Sequence, residues 1–176
     1  MSSFEQLLQG GHPNSLGNTI TVVETVLTQP ERFEEFYQCY FSTDPVVRLR
    51  VSNGMKRICS ANSSLLVPYL DRFLSEISEL DQASVQWTLA QLFDKLYPNL
   101  SEQQRHRATQ ILQRNLANNT DWIVLTQTMN TLSKWARGNA ELQTWLIPQL
   151  RRLQKDARKS VRGRAEKVLI QLKQPL

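Results

Sequence analysis

DPVVRLRVSNGMKRI, at Asp44–Ile58, is the stretch whose reading decides the fold. Its apolar residues Val47, Val51, Met55 and Ile58 fall at i, i+4, i+8 and i+11. At about 100° of rotation per residue they lie within roughly 80° of one another on an α-helix. Asp44 carries the short carboxylate that caps a helix N-terminus. Pro45 suits the first helical position, where an N–H has no intrahelical partner anyway.

Outward from this stretch the same stripe returns. Val85, Leu89, Phe93 and Leu96 repeat it, as do Val124, Thr128, Leu132 and Trp135, and then Val161, Ala165, Leu169 and Leu172. The first anchors stand at 47, 85, 124 and 161, with spacings of 38, 39 and 37 residues. Partner stripes run between them: Leu66, Leu70, Phe73, Leu74 and Ile77; Ala108, Ile111, Leu112 and Leu116; Leu142, Leu146, Leu150 and Leu153. One helix pair cannot bury its apolar face alone, so repetition at this period predicts stacked pairs, an all-α solenoid. A plain helix bundle would give antiparallel helices too, but no reason for a fixed period.

The flanking signals fit. Asp81 is expected to start one helix and Pro98 to stop it. Ser101 and Gln104 form a capping box, Asn118–Asn119–Thr120 a turn, and Gly138–Asn139 a helix end. Pro68 falls in a first turn, and the last helix should end before Pro175. Upstream, Ile20, Val23 and Leu27 take helical spacing in a segment whose β-branched residues would also suit a strand. Helix is preferred because everything after it is helical. Phe33, Phe36, Tyr37, Tyr40 and Phe41 form an aromatic stripe read as packed core. Residues 1–15 read as an N-terminal arm broken by Gly10, Gly11 and Pro13 and expected to fray, with 16–176 as the repeat domain.

Composition excludes several classes. Hydrophobic residues at 40% and charged residues at 21% belong to a folded chain rather than a disordered one. Cys39 and Cys59 are too few for a disulfide framework, the N-terminus lacks the basic and apolar regions of a signal peptide, and no apolar run suits a membrane span. A cytoplasmic monomer with no membrane contact is the expectation. The net charge of +5 is uneven: residues 1–100 carry 7 basic and 11 acidic side chains, residues 134–176 carry 11 and 3. A basic C-terminal half admits an anionic partner, although a solvated terminal helix explains it as well.

DPVVRLRV at Asp44–Val51 resembles the first helix of a HEAT repeat, and ARKSVRGRAEKVL at Ala157–Leu169 resembles a second copy. LLVPYLDRFL at Leu65–Leu74 and LIPQLRRL at Leu146–Leu153 resemble second helices. The likeness covers about residues 16–174. It implies a right-handed α-α superhelix of about four to five antiparallel helix pairs. In the family the Arg that matches Arg48 and Arg162 often pairs with an Asp in a ladder between repeats. Gln86 and Leu125 occupy that position in the intermediate copies, so a continuous ladder is not expected.

Such arrays are chiefly protein-binding scaffolds whose second helices line the concave face. Turning those helices away from their apolar stripes presents Glu35 and Gln38, then Arg72, Ser75 and Glu76, then His106, Gln110, Gln113 and Arg114, and last Thr144, Arg151, Arg152 and Lys155. Arg72, His106, Gln110, Arg114, Arg151, Arg152 and Lys155 are the expected partner contacts. Lys159, Gly163, Glu166 and Lys167 point the other way, to a convex, solvated face. Binding of nucleic acid is the less favoured reading, because no aromatic residue is interleaved with the concave cations.

No enzyme is expected, and no cofactor or metal. His12 and His106 are isolated, and no phosphate loop, nucleophile elbow or HExxH occurs. One enzymatic alternative follows from the resemblance, since some DNA glycosylases for alkylated bases are built from HEAT-like repeats. Asp121–Trp122 and Trp145 with Arg151 or Arg152 are its only candidates; Asp121 reads better as a helix cap and Trp122 as packing beside it.

Overall fold

The computed structural model describes residues 3–173, all helices, turns and connecting segments with no strand among them. The chain divides into two compact units, residues 1–100 and 101–176.

The first unit holds α1 (Phe4–Leu8), α2 (Thr19–Thr28), α3 (Phe33–Gln38), α4 (Pro45–Ala61), α5 (Leu70–Ser75) and α6 (Ala83–Leu96). Here α2 packs on α4 and α4 on α6. Asp44 caps α4 as expected, its Oδ1 accepting from the Val46 N–H at 2.8 Å. Val47, Val51, Met55 and Ile58 are all fully buried, as are Val85, Leu89, Phe93 and Leu96 to within 1%. Each such side chain contributes roughly 1.5–3 kcal/mol by leaving water.

Three details differ from the sequence reading. The buried face of α2 is Thr19, Val22, Val23 and Val26, whereas Ile20 stands 38% exposed. Gly54 of α4 permits a close approach at Val23, which belongs to both faces. A Cβ there would lie 2.7 Å from Phe36 Cζ and 3.2 Å from Val23 Cγ2, so a bare backbone lets both side chains close over the helix. The segment after α4 is interrupted by tight turns at Ser63–Leu65, Val67–Tyr69 and Ile77–Glu79, yet Leu66, Leu70, Phe73, Leu74 and Ile77 are still buried. Gln82, not Asp81, occupies the cap of α6, and no side chain caps that helix. Gln82 instead accepts from Arg48 Nε at 2.6 Å and donates to the Pro45 carbonyl at 3.1 Å. Arg48 thus reaches from α4 to the start of α6, but to an amide rather than a carboxylate.

The N-terminal stretch packs where fraying was expected. Ser3 and Gln6 close a capping box on α1, Phe4 and Leu8 are buried, and Arg32 stacks 3.9 Å over the Phe4 ring. The loop that follows is held by Arg50, the largest fully buried side chain in the described residues. Its Nη1 donates to the carbonyls of Leu8 (2.6 Å), Gln9 (3.3 Å) and Gly10 (2.7 Å), Nη2 to His12 (3.3 Å) and Nε to Ser15 (3.1 Å). Among the described residues no carboxylate pairs with it, so the loop's carbonyl dipoles take the place of lost water. Gly17, at φ +50°, completes the fit, since a Cβ there would meet the guanidinium carbon at 2.9 Å.

The second unit holds α7 (Glu102–Asn118), α8 (Trp122–Trp135), α9 (Ala140–Leu153) and α10 (Lys159–Lys173). There α7 packs on α8, α9 on α10, and α10 on α8. Ser101 and Gln104 close the expected capping box, and Asn139 caps α9 through the Leu142 N–H at 3.0 Å. Val124, Thr128, Leu132, Val161 and Ala165 are fully buried, Trp135 and Leu169 are 9% exposed, and Leu172 is half-buried. The stop expected at Pro175 lies outside the described residues.

Candidate functional site

In the second unit α7 buries Ala108, Ile111, Leu112 and Leu116. Its opposite side presents His106 and Gln110, whose imidazole and amide meet at 3.1 Å, and Arg114 is exposed on the same helix. α9 buries Leu142, Leu146, Leu150 and Leu153 and ends in Arg151 and Arg152. Arg152 Nη2 donates to the Leu116 carbonyl at 2.9 Å and to Gln149 Oε1 at 3.3 Å, which ties the last turn of α9 to the end of α7. Arg151 and Lys155 are exposed and, among the described residues, unpaired. The polar face expected of these two helices is therefore outward, and part of it is uncommitted.

Arg72 belongs to the first unit and is already engaged. Its Nη1 contacts Glu34 Oε2 at 2.8 Å, its Nε reaches Glu76 at 3.3 Å, and its guanidinium lies 4.1 Å from the Tyr37 ring centre and 5.4 Å from that of Tyr69. Partial desolvation works against the charge. Hydrogen bonds to Glu34 and Glu76 outweigh it and hold the pKa above its ordinary value. The same cluster holds Glu34 below the usual carboxylate range, chiefly through the Gln38 amide, which donates to it at 2.6 Å. Burial pushes Tyr69 up to about 12. Glu35 is likewise occupied, accepting from the Phe4 N–H at 2.8 Å and from Arg32. This knot of ion pairs and rings braces α3 against α5.

Chemistry is sparse elsewhere. Among the described residues no three His, Cys, Asp or Glu side chains gather where a metal would sit. Cys39 and Cys59 are buried free thiols, and burial raises both, Cys39 to about 12. Asp121 caps α8, its Oδ1 accepting from the N–H groups of Ile123 (2.8 Å) and Val124 (3.0 Å). Trp145 is half-buried on α9.

Trp122 departs from the reading as packing: it is 47% exposed. It stands at the mouth of an open cleft of about 710 Å³ between α8 and α10. The other lining residues are Thr126, Gln127 and Asn130 from α8, and Lys159, Ser160, Gly163, Arg164 and Lys167 from α10. Arg164 is half-buried there, whereas Lys159 and Lys167 are exposed. The sequence signal was present in the pairing of register positions along two copies of one helix, which a single-helix reading cannot reveal.

No protein-family model, curated protein or solved structure matches the chain.

Proposed function

We propose that the chain is a HEAT-type helical repeat array and serves as a non-enzymatic, cytoplasmic binding module for a protein partner. The repeat reading is supported by the near-constant spacing of buried anchors and by first helices lying beside first helices within each unit: α2, α4 and α6 in residues 1–100, α8 and α10 in residues 101–176. The contact surface is the outward face of α7 and α9. One observation carries that assignment: His106, Gln110 and Arg151 are exposed on helices whose opposite faces are buried, and Lys155 is exposed in the turn that follows α9. Arg72, consumed by Glu34 and Glu76, acts as scaffold rather than contact. Mixed polar surface of this kind gives specificity through its charged rim and depends only modestly on salt.

The test is affinity capture from the native cell with the wild-type chain and with an Arg151→Glu/Lys155→Glu variant, the captured proteins being quantified by mass spectrometry. At least one protein captured by the wild type should fall several-fold with the variant. An identical set at identical yield would overturn the assignment.

A further inference from the structure

The cleft between α8 and α10 has two unlike walls, and the repeat period explains how they arise. Trp122, Thr126, Gln127 and Asn130 line one side; the residues 37 positions later, Lys159, Gly163, Arg164 and Lys167, line the other. Four residues of each wall are therefore register mates across the cleft; Ser160 also lines it, but its mate Ile123 does not. One copy of the helix face supplies a ring, a hydroxyl and two amides. The other supplies three cations and the Ser160 hydroxyl around a glycine, and a Cβ placed on that glycine would have nothing within 4 Å. No acidic side chain lines the cleft, and Glu166, the one acidic residue of α10, is not among the lining residues. Among the described residues Lys159, Arg164 and Lys167 have no ion pair. Asp121, beside Trp122, spends its carboxylate on the α8 cap.

We propose that this cleft binds a short segment of single-stranded nucleic acid, with phosphates along α10 and bases against α8. The division of labour matches the ligand. A single strand carries its charge on one edge and flat, hydrogen-bonding groups on the other. Phosphates meet Lys159, Arg164 and Lys167, which span about 12 Å of helix axis. A base stacks on the exposed indole, and the Gln127 and Asn130 amides face the base edges. Stacking on an aromatic ring is tolerant of base identity, so the site reads strandedness rather than sequence. A duplex fits less well, because its bases are already stacked and paired and neighbouring helices pack only about 8–10 Å apart. An acidic peptide would use the cations but leave the indole and amides without a matching wall. The basic cleft on α4, lined by Asn53, Lys56, Arg57, Ser60 and Ala61, contains no ring and lacks this two-sided character.

Fluorescence anisotropy of a labelled oligo(dT) of about twelve nucleotides, a length within the range one such site covers, tests the proposal on the full chain. Three phosphate contacts to a single strand predict a log–log salt slope of about −2, or roughly fifteenfold weaker binding between about 50 and 200 mM salt. Trp122→Ala should weaken binding at least about fivefold. Lys159→Glu/Lys167→Glu should abolish it and flatten the slope. Arg107→Glu, at an exposed position of α7 outside the cleft, should leave it unchanged. All four positions are exposed, and circular dichroism verifies that each variant keeps its helices. Absence of oligo(dT) binding at the lower salt would overturn the proposal. So would binding indifferent to Trp122→Ala, or equal competition by an oligoglutamate or by duplex DNA.

Discussion

Arg50 is the residue on which the first hundred positions depend most heavily. It is 2% exposed and spends its guanidinium on five backbone carbonyls of residues 8–15. A lysine would bring one compact ammonium in place of a planar fork, too few donors in the wrong geometry. Arg50→Lys should therefore destabilise the chain by about 3 kcal/mol, since each hydrogen bond to a charged group is worth about 1.5–3 kcal/mol and partners left unpaired cost more. Urea unfolding of the two proteins provides the measurement. A loss below about 1 kcal/mol would mean that water replaces the guanidinium without penalty, contrary to the burial described. Nothing in the sequence announces this residue. Arg50 stands among alternating apolar and basic positions of α4, where an arginine reads as solvent-facing, and its partners are carbonyls, which carry no side-chain signature.

At the scale of elements, the junction of α9 and α10 is pinned by local charge. Asp156 accepts from the Arg158 N–H at 2.9 Å, from its Nε at 2.8 Å and from its Nη2 at 2.7 Å, while Arg158 also donates to the Thr120 carbonyl in the turn before α8. The Arg158 side chain, then its backbone N–H, hold the Asp156 carboxyl down at about 2, against an ordinary 3.8. A carboxyl depressed on folding stabilises the folded state above its unfolded pKa, and that contribution fades as pH falls through the folded value. Asp156→Asn should accordingly be slightly less stable than the wild type at neutral pH, with the difference closing between about pH 4 and 2. Paired urea titrations at several pH values would reveal the convergence. A gap that stayed constant would place the stabilisation elsewhere. The elements themselves were largely legible: the stripes of α4, α6, α7, α8 and α9 are buried where their periodicity places them. α2 was not, because its run of Val and Thr leaves two apolar faces that share Val23, and periodicity within the helix does not choose between them.

For the whole molecule, both thiols lie within residues 1–100, which makes them reporters for that unit alone. Each is buried, and burial holds each thiol above its ordinary pKa, so little reactive thiolate is available near pH 8. Labelling of Cys39 and Cys59 by a disulfide reagent should proceed only as fast as the surrounding structure opens, and Arg50→Lys should accelerate it. Rapid labelling of the native wild type would contradict that burial. What the sequence conveyed at this scale was the period; what it hid was the cleft, because a groove lined by two copies of one face exists only once the copies are side by side. Trp122 alone looked like packing at a helix start, and Lys159 and Lys167 alone looked like solvation.

The way Arg50 holds the N-terminal loop has one more consequence. A guanidinium that grips carbonyls is indifferent to the side chains those carbonyls belong to. Through Arg50 the stretch between Leu8 and Ser15 is held to a length and a curvature, and its spelling is constrained only where the loop itself needs it, as at Gly10 and Gly11 with their positive φ. Gln9 can drift in identity while every bond to Arg50 survives, whereas the His12 and Ser15 side chains also accept from the Asn14 and Gly17 N–H groups. Removing a residue between Leu8 and Ser15 would shift the carbonyls that follow out of register with the guanidinium.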